Sequence, residues 1–169
     1  MALPPPAEGW TRFLVKSTFG AGRDFAVLDP ATEEQRFRVD GKIGARPKAD
    51  VLDAGGRTLF HVSGKLLGIP KHMTITDAEG TQIASLKAKA FSPIKARMTL
   101  ERADGTTWTI EGSFIEKDYT ITSDGAPIVA ISQKWVTIRD AYTVDIAQGA
   151  EPAFALAVVW AIDRWVERD

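Results

Sequence analysis

Hydrophobic and polar positions alternate along the chain from Arg12 to about Ala147. Phe13, Val15 and Phe19 alternate with Arg12, Lys16 and Thr18, and Met73 and Ile75 with His72, Thr74 and Thr76. Trp108 and Ile110 alternate with Thr107, Thr109 and Glu111, and Tyr119 and Ile121 with Thr120 and Thr122. A period of two marks strands with one dry face and one wet face. The punctuation agrees. Asp40-Gly41, Asp104-Gly105 and Asp124-Gly125 read as hairpin turns, because glycine takes positive φ at little cost and aspartate tolerates it. Asp53 to Gly56 and Asp77 to Gly80 read as slightly longer turns. The pattern predicts a meander of about eleven or twelve antiparallel strands.

The period changes once, near the C-terminus. Pro152 fits the first turn of a helix, where its missing N–H is no loss. From Ala153 to Ile162 the segment is apolar on every face, and a helix of that kind must be surrounded on all sides. Asp163, Arg164, Glu167 and Arg168 mark the return to water. Many antiparallel strands escape exposed edges by closing into a barrel. At roughly twelve strands the interior is too wide for strand side chains alone. A helix about 10–12 Å across with its side chains fills it. The expectation is an all-β antiparallel closed barrel around a buried C-terminal helix at about 152–167, with residues 1–10 as a flexible lead and 11–169 as one barrel domain. Ala84, Leu86, Ala88 and Ala90 share one strand parity and Ile94, Ala96, Met98 and Leu100 the facing one. These dry faces are small where the helix is expected to pass and leave room for Phe154, Leu156, Val159 and Trp160.

Three stretches resemble a known family. They are Ile131-Ser-Gln-Lys-Trp135, Asp140-Ala-Tyr-Thr-Val-Asp-Ile146 and the apolar run from Ala155 to Asp163. Together they resemble the C-terminal signature of the LURP-one-related family. Ser63-Gly-Lys-Leu-Leu67 and Met73-Thr-Ile-Thr-Asp77 resemble its middle strands. The resemblance implies a bacterial-type single-domain member with a tubby-like barrel of about twelve strands around a central helix. That fold is shared with tubby proteins, which bind phosphoinositides, and with phospholipid scramblases. The resemblance therefore points at lipid. In tubby proteins a Lys-x-Arg pair contacts the phosphates; Lys65 matches the lysine and Leu67 stands in the place of the arginine. Scramblases carry an acidic calcium stretch before the last helix. Here Asp140 and Asp145 remain, but the following residues 147–151 lack the density of oxygen ligands that Ca²⁺ requires.

Composition narrows the chemistry further. The chain has no cysteine, which excludes disulfides, thiol nucleophiles and Cys-ligated metal. Its two histidines, His61 and His72, are too few for a multi-histidine centre. The net charge of −1 gives no overall field toward nucleic acid, so no nucleic-acid partner is expected. No targeting segment is visible. The eleven residues from Pro152 to Ile162 are too short for a membrane span, since a helix of that length reaches about 16 Å against a hydrocarbon core of roughly 30 Å. The expected location is the cytoplasm, at most peripheral to a membrane. Gly20-Ala-Gly22 lacks the third glycine of a dinucleotide fingerprint, and there is neither a phosphate-binding Walker sequence nor a nucleophile elbow. No catalytic residue, metal or cofactor is assigned.

The clearest electrostatic feature is a pair of strand segments. Lys87 with Lys89, and Lys95 with Arg97, are each spaced by two, so each pair shares one strand face. A hairpin around Phe91-Ser92-Pro93 gathers the four cations on one outer patch. Lys65, Lys71 and His72 form a second group around the turn at Gly68 to Pro70. His61 faces away from the side of Phe60 and Val62. The leading expectation is a non-enzymatic binding module that meets anionic phospholipid or a phosphorylated ligand through Lys65, Lys87, Lys89, Lys95 and Arg97. The alternatives are a protein-interaction or scaffold domain without a small ligand, and a scramblase-like role in lipid transfer.

Overall fold

The computed structural model describes residues 5–18, 24–42, 44, 46–65, 71–88, 96–134, 136 and 140–166. Twelve strands run in chain order: β1 (Trp10–Thr18), β2 (Asp24–Leu28), β3 (Gln35–Gly41), β4 (Lys48–Asp53), β5 (Thr58–Lys65), β6 (Lys71–Asp77), β7 (Gln82–Ala88), β8 (Ala96–Arg102), β9 (Thr107–Ser113), β10 (Asp118–Ser123), β11 (Ala126–Ser132) and β12 (Ala141–Ala147). Helix α1 (Pro152–Val166) follows. Each strand pairs antiparallel with its chain neighbours, and β12 pairs with β1, so the sheet closes into a barrel without edges. β1 takes in Trp10, the last residue assigned to the lead.

Alternation sets the inside. Val27, Val39, Val51, Ile75, Leu86, Ile110, Ile121 and Val144 point inward and are fully buried. Every residue of α1 from Ala153 to Ile162 is at most 2% exposed, so the helix is the core of the barrel rather than a lid. Phe154 packs edge-on against Trp108 at 5.0 Å and Phe60 at 5.8 Å. The helix does not follow β7 and β8 as the alanine pattern suggested. It lies nearest β3, β4 and β5. Their inward side chains, among them Val39, Ala49, Val51 and Val62, are short enough to let a helix backbone approach. On β7 and β8, Ala84 is inward, but Leu86, Met98 and Leu100 fill that side. Ala90, Ile94 and the side chains of Ala88 and Ala96 lie outside the described residues.

The hairpin turns obey their aspartates. Asp53 Oδ1 accepts hydrogen bonds from the backbone N–H of Gly55 at 3.0 Å and Arg57 at 2.9 Å, and Asp77 does the same for Glu79 and Thr81. Asp124 and Gly125 both have positive φ, 52° and 78°, as a type I′ turn requires. Asp40-Gly41 is different from the expectation. Both residues belong to β3, opposite Asp50 and Ala49, and the Gly41 N–H donates to Asp24 Oδ1 at 2.9 Å. The ladder runs on to Lys42, whose N–H donates to Lys48 O, so the reversal comes later.

Close approach of neighbouring backbone requires glycine at Gly64, where a Cβ would stand 2.8 Å from His72 O, and more strictly at Gly112. Gly112 in β9 has φ +141°, and a Cβ there would meet Asp118 O at 2.5 Å and Tyr119 Cα at 2.6 Å. Those are backbone atoms that cannot rotate away. Gly112→Ala is expected to lower stability by about 3 kcal/mol, from backbone strain and overpacking together. Urea unfolding measures it; a midpoint equal to that of the parent protein would mean that this corner of the sheet gives way freely.

Candidate functional site

The meander sorts the connections between two rims. At one, here the N-rim, α1 begins; it also carries the turns β2–β3, β4–β5, β6–β7, β8–β9 and β10–β11. At the other, the C-rim, α1 ends; the remaining strand connections lie there, and several of their residues are outside the described set. This division places the predicted cations. Lys65 is the last residue of β5, Lys71 the first of β6, Lys87 the next to last of β7 and Arg97 the second of β8, so all belong to the C-rim half.

Register joins groups that were separate in the sequence. Lys65 lies opposite His72 on β6, and His72 lies opposite Lys87 on β7. Lys65, His72 and Lys87 thus form one row across three neighbouring strands. Met73 and Leu86 point inward, so His72 and Lys87 are on the outer face. His72 is partly buried, and its Nε2 is 2.7 Å from Ser85 Oγ. Lys87 is exposed and stands 3.8 Å from Glu101, while Arg97 contacts Glu111 at 3.0 Å. Both are solvent-exposed ion pairs, which are worth at most about 1 kcal/mol and open readily. Lys89 and Lys95, and the side chain of Lys65, lie outside the described residues. So does the turn at Phe91-Ser92-Pro93.

A second constellation is buried. Asp163, at the end of the apolar run, is only 3% exposed. Its Oδ1 accepts from Lys117 Nζ at 2.5 Å and its Oδ2 from the Tyr142 hydroxyl at 2.8 Å. Lys117 sits in the β9–β10 turn with φ 53° and also stands over the Tyr142 ring at 5.7 Å. The Tyr119 hydroxyl is buried nearby without a hydrogen-bond partner among the described residues. Burial, with a smaller contribution from the Asp163 charge, pushes its pKa well above the usual tyrosine value. Tyr142 packs edge-on against Phe25 at 6.2 Å and belongs to this network rather than to a pocket wall. Trp135 lies outside the described residues. His61 faces outward, as alternation implied, with Nδ1 2.6 Å from Asp50.

The N-rim has another character. Asp29, Asp53, Asp77 and Asp104 each hold a turn, and Glu8, Glu33, Glu34, Glu79, Asp124 and Glu151 stand among them. Backbone N–H groups of Ala31 and Thr32 hold the Asp29 carboxyl below the usual carboxylate range, and the hydroxyl and N–H of Thr106 do the same for Asp104. Two clefts open on this rim. One, of about 500 Å³, is floored by Phe13 and Phe37, which meet edge-on at 5.8 Å. Arg12 on its wall is held by a bidentate pair with Asp145, 2.7 and 2.8 Å. The other, of about 470 Å³, is closed by Arg102 lying over Trp108 and Phe154, 5.4 and 4.9 Å from the ring centres.

Sequence reasoning missed the Lys117 to Asp163 pair, the bridging place of His72 and the acidic rim. A lysine in a turn carries no sign of its partner 46 residues away. The rim was traceable, because alternate connections of a meander share one end. Among the described residues no three His, Asp or Glu side chains cluster as a metal site would need, and no helix is long and apolar enough to cross a membrane.

A closed antiparallel barrel threaded by its own C-terminal helix, with its charged chemistry on the outer wall and rims, defines the class to which this protein belongs. The LURP-one-related family model matches residues 11–163, and the chain belongs to that family. Among curated proteins it is similar to the uncharacterized protein YxjI of Bacillus subtilis (strain 168), 22% identical over 158 residues that cover 93% of this chain and 94% of the relative.

Proposed function

We propose that the protein is a non-enzymatic binding module for anionic phospholipid or a phosphorylated ligand, working in the cytoplasm and peripheral to a membrane. The observation that carries the reading is the row Lys65–His72–Lys87 on three adjacent strands. Lys65 and Lys87 hold the register positions on either side of His72, and ammonium groups and an imidazole N–H are donors suited to phosphate oxygens. Arg97 extends the cationic wall on the next strand, and its exposed glutamate partner is readily exchanged for a stronger anion. Each basic residue near an acidic bilayer contributes about 1 kcal/mol. A scramblase-like role in lipid transfer is the less favoured reading, because the apolar helix α1 is enclosed by the barrel and is too short to span a bilayer.

Vesicle flotation tests the proposal. The protein is expected to float with phosphatidylcholine vesicles that contain phosphatidylserine or a phosphoinositide, and not with phosphatidylcholine alone. Lys65→Gln with Lys87→Gln should weaken that binding roughly 30-fold, from about 1 kcal/mol lost per lysine. Equal recovery with neutral and acidic lipid, unaffected by the substitutions, would favour the scaffold reading instead. Inositol phosphates in solution, titrated by calorimetry, separate a soluble phosphorylated ligand from a bilayer.

A further inference from the structure

We infer that the barrel meets an acidic bilayer end-on, C-rim down, with the acidic N-rim held away from the surface. This rests on the lipid reading above and adds to it the orientation and the face. The first observation is the segregation of charge along the barrel axis. Segments 5–9, 29–36, 53–57, 77–81, 102–106, 124–125 and 148–151, which build the N-rim, hold ten carboxylates against three arginines, seven net negative charges. The described residues outside that rim carry three net positive charges, 13 basic groups against 10 carboxylates. Charge among the described residues is thus unevenly divided between the N-rim and the rest of the barrel.

The second observation is what the C-rim presents. Arg46 and Lys48 in and after the β3–β4 connection are exposed, and neither has a carboxylate partner among the described residues. Across the barrel, in the β9–β10 turn, Ile115 is 51% exposed, the one large apolar side chain so exposed among the described residues. β3–β4 and β9–β10 are half a turn apart in the ring of strands, so these features stand on opposite sides of the same rim. A surface that engages both must cover the end of the barrel, not one flank. The Lys65–His72–Lys87 row belongs to the same half of the wall and lies on the shoulder of that contact.

Screening decides the orientation. A strand of seven residues rises about 23 Å, and at a barrel tilt of roughly 40° it spans about 18 Å along the axis, so the two rims stand about two Debye lengths of roughly 8 Å apart at physiological salt. With the C-rim down, the acidic rim lies outside the reach of the bilayer charge. With the N-rim down, or with the barrel on its side, part of that negative charge enters the layer and is repelled.

The absence of cysteine makes the test direct, because a single introduced thiol is the sole labelling site. Ala78→Cys labels the N-rim, Thr99→Cys the middle of the wall and Glu116→Cys the C-rim, all at exposed positions. Each is coupled to a fluorophore and mixed with phosphatidylcholine–phosphatidylserine vesicles that carry a headgroup nitroxide quencher. Flotation of each labelled protein is measured in the same samples. The expected result is quenching several-fold stronger at residue 116 than at residue 78, with residue 99 between them. Neutralising exposed rim glutamates with Glu8→Gln, Glu34→Gln and Glu79→Gln should then raise quenching at residue 78. Flotation with strongest quenching at residue 78 or 99, or with equal quenching at all three, overturns the orientation and leaves the lipid reading standing. No flotation with acidic vesicles removes both.

Discussion

Lys117→Met is expected to destabilise the fold by about 3–5 kcal/mol, the usual cost of breaking a buried ion pair by removing one partner. The reason is local. Asp163 is buried at the end of α1, and Lys117 supplies the opposite charge from 46 residues away at 2.5 Å. Without that ammonium the carboxylate keeps the Tyr142 hydroxyl as its remaining donor among the contacts described above. One neutral hydrogen bond does not replace the solvation that a buried charge has lost. The double change Lys117→Met with Asp163→Asn should cost less than Lys117→Met alone, because no uncompensated charge remains. Chemical denaturation of the three variants checks this. Were Lys117→Met to unfold within about 1 kcal/mol of the parent, the pair would rank with ordinary surface bridges.

Trp160→Ala is expected to cost a further 3–5 kcal/mol in its own right, the range for removing a large buried aromatic. Trp160 is among the largest fully buried side chains, 1% exposed, in a helix enclosed on every side. A barrel wall tied strand to strand through a closed ladder cannot collapse onto the space left behind. Native domains hold about 5–15 kcal/mol in total, so this single change removes a large part of the margin. Ile115→Ala, at an exposed site, is the control and should change stability by less than about 0.5 kcal/mol. Thermal and urea unfolding of the pair give the comparison. Equal effects at the two positions would mean that α1 is peripheral to the fold.

The strands were legible because their physics is local. Trp108 and Ile110, or Tyr119 and Ile121, declare a buried face through alternation alone, and the structure buries all four. The helix was legible for a related reason, since a run apolar on all sides and too short to span a bilayer belongs in an interior. Two local readings went astray where a neighbour decided. Asp40-Gly41 has turn chemistry, yet Asp24 and β4 take up its polar groups and draw it into the ladder. The alanines of β7 and β8 suggested room for the helix, yet the shorter side chains of β3 to β5 took it.

The candidate site was half legible. Lys87 and Arg97 were expected as cations on strand faces from their spacing, Lys65 came from the family resemblance, and His72 was grouped with Lys65 on proximity in the chain. That His72 stands between Lys65 and Lys87 depends on how β5, β6 and β7 are staggered. A one-residue slip would send alternate side chains to the other face.

Taken by itself, the amino-acid order settled the class of structure: periodicity, turn chemistry and one all-apolar segment suffice for a plugged barrel, since each acts over a few residues. Tertiary structure decided everything that needs two distant residues side by side. It paired Lys117 with Asp163, set Lys65, His72 and Lys87 in one row, and gathered the acidic turns on a single rim. Such meetings are set by strand register and barrel closure, which belong to the whole chain at once and leave no mark on any short stretch of it.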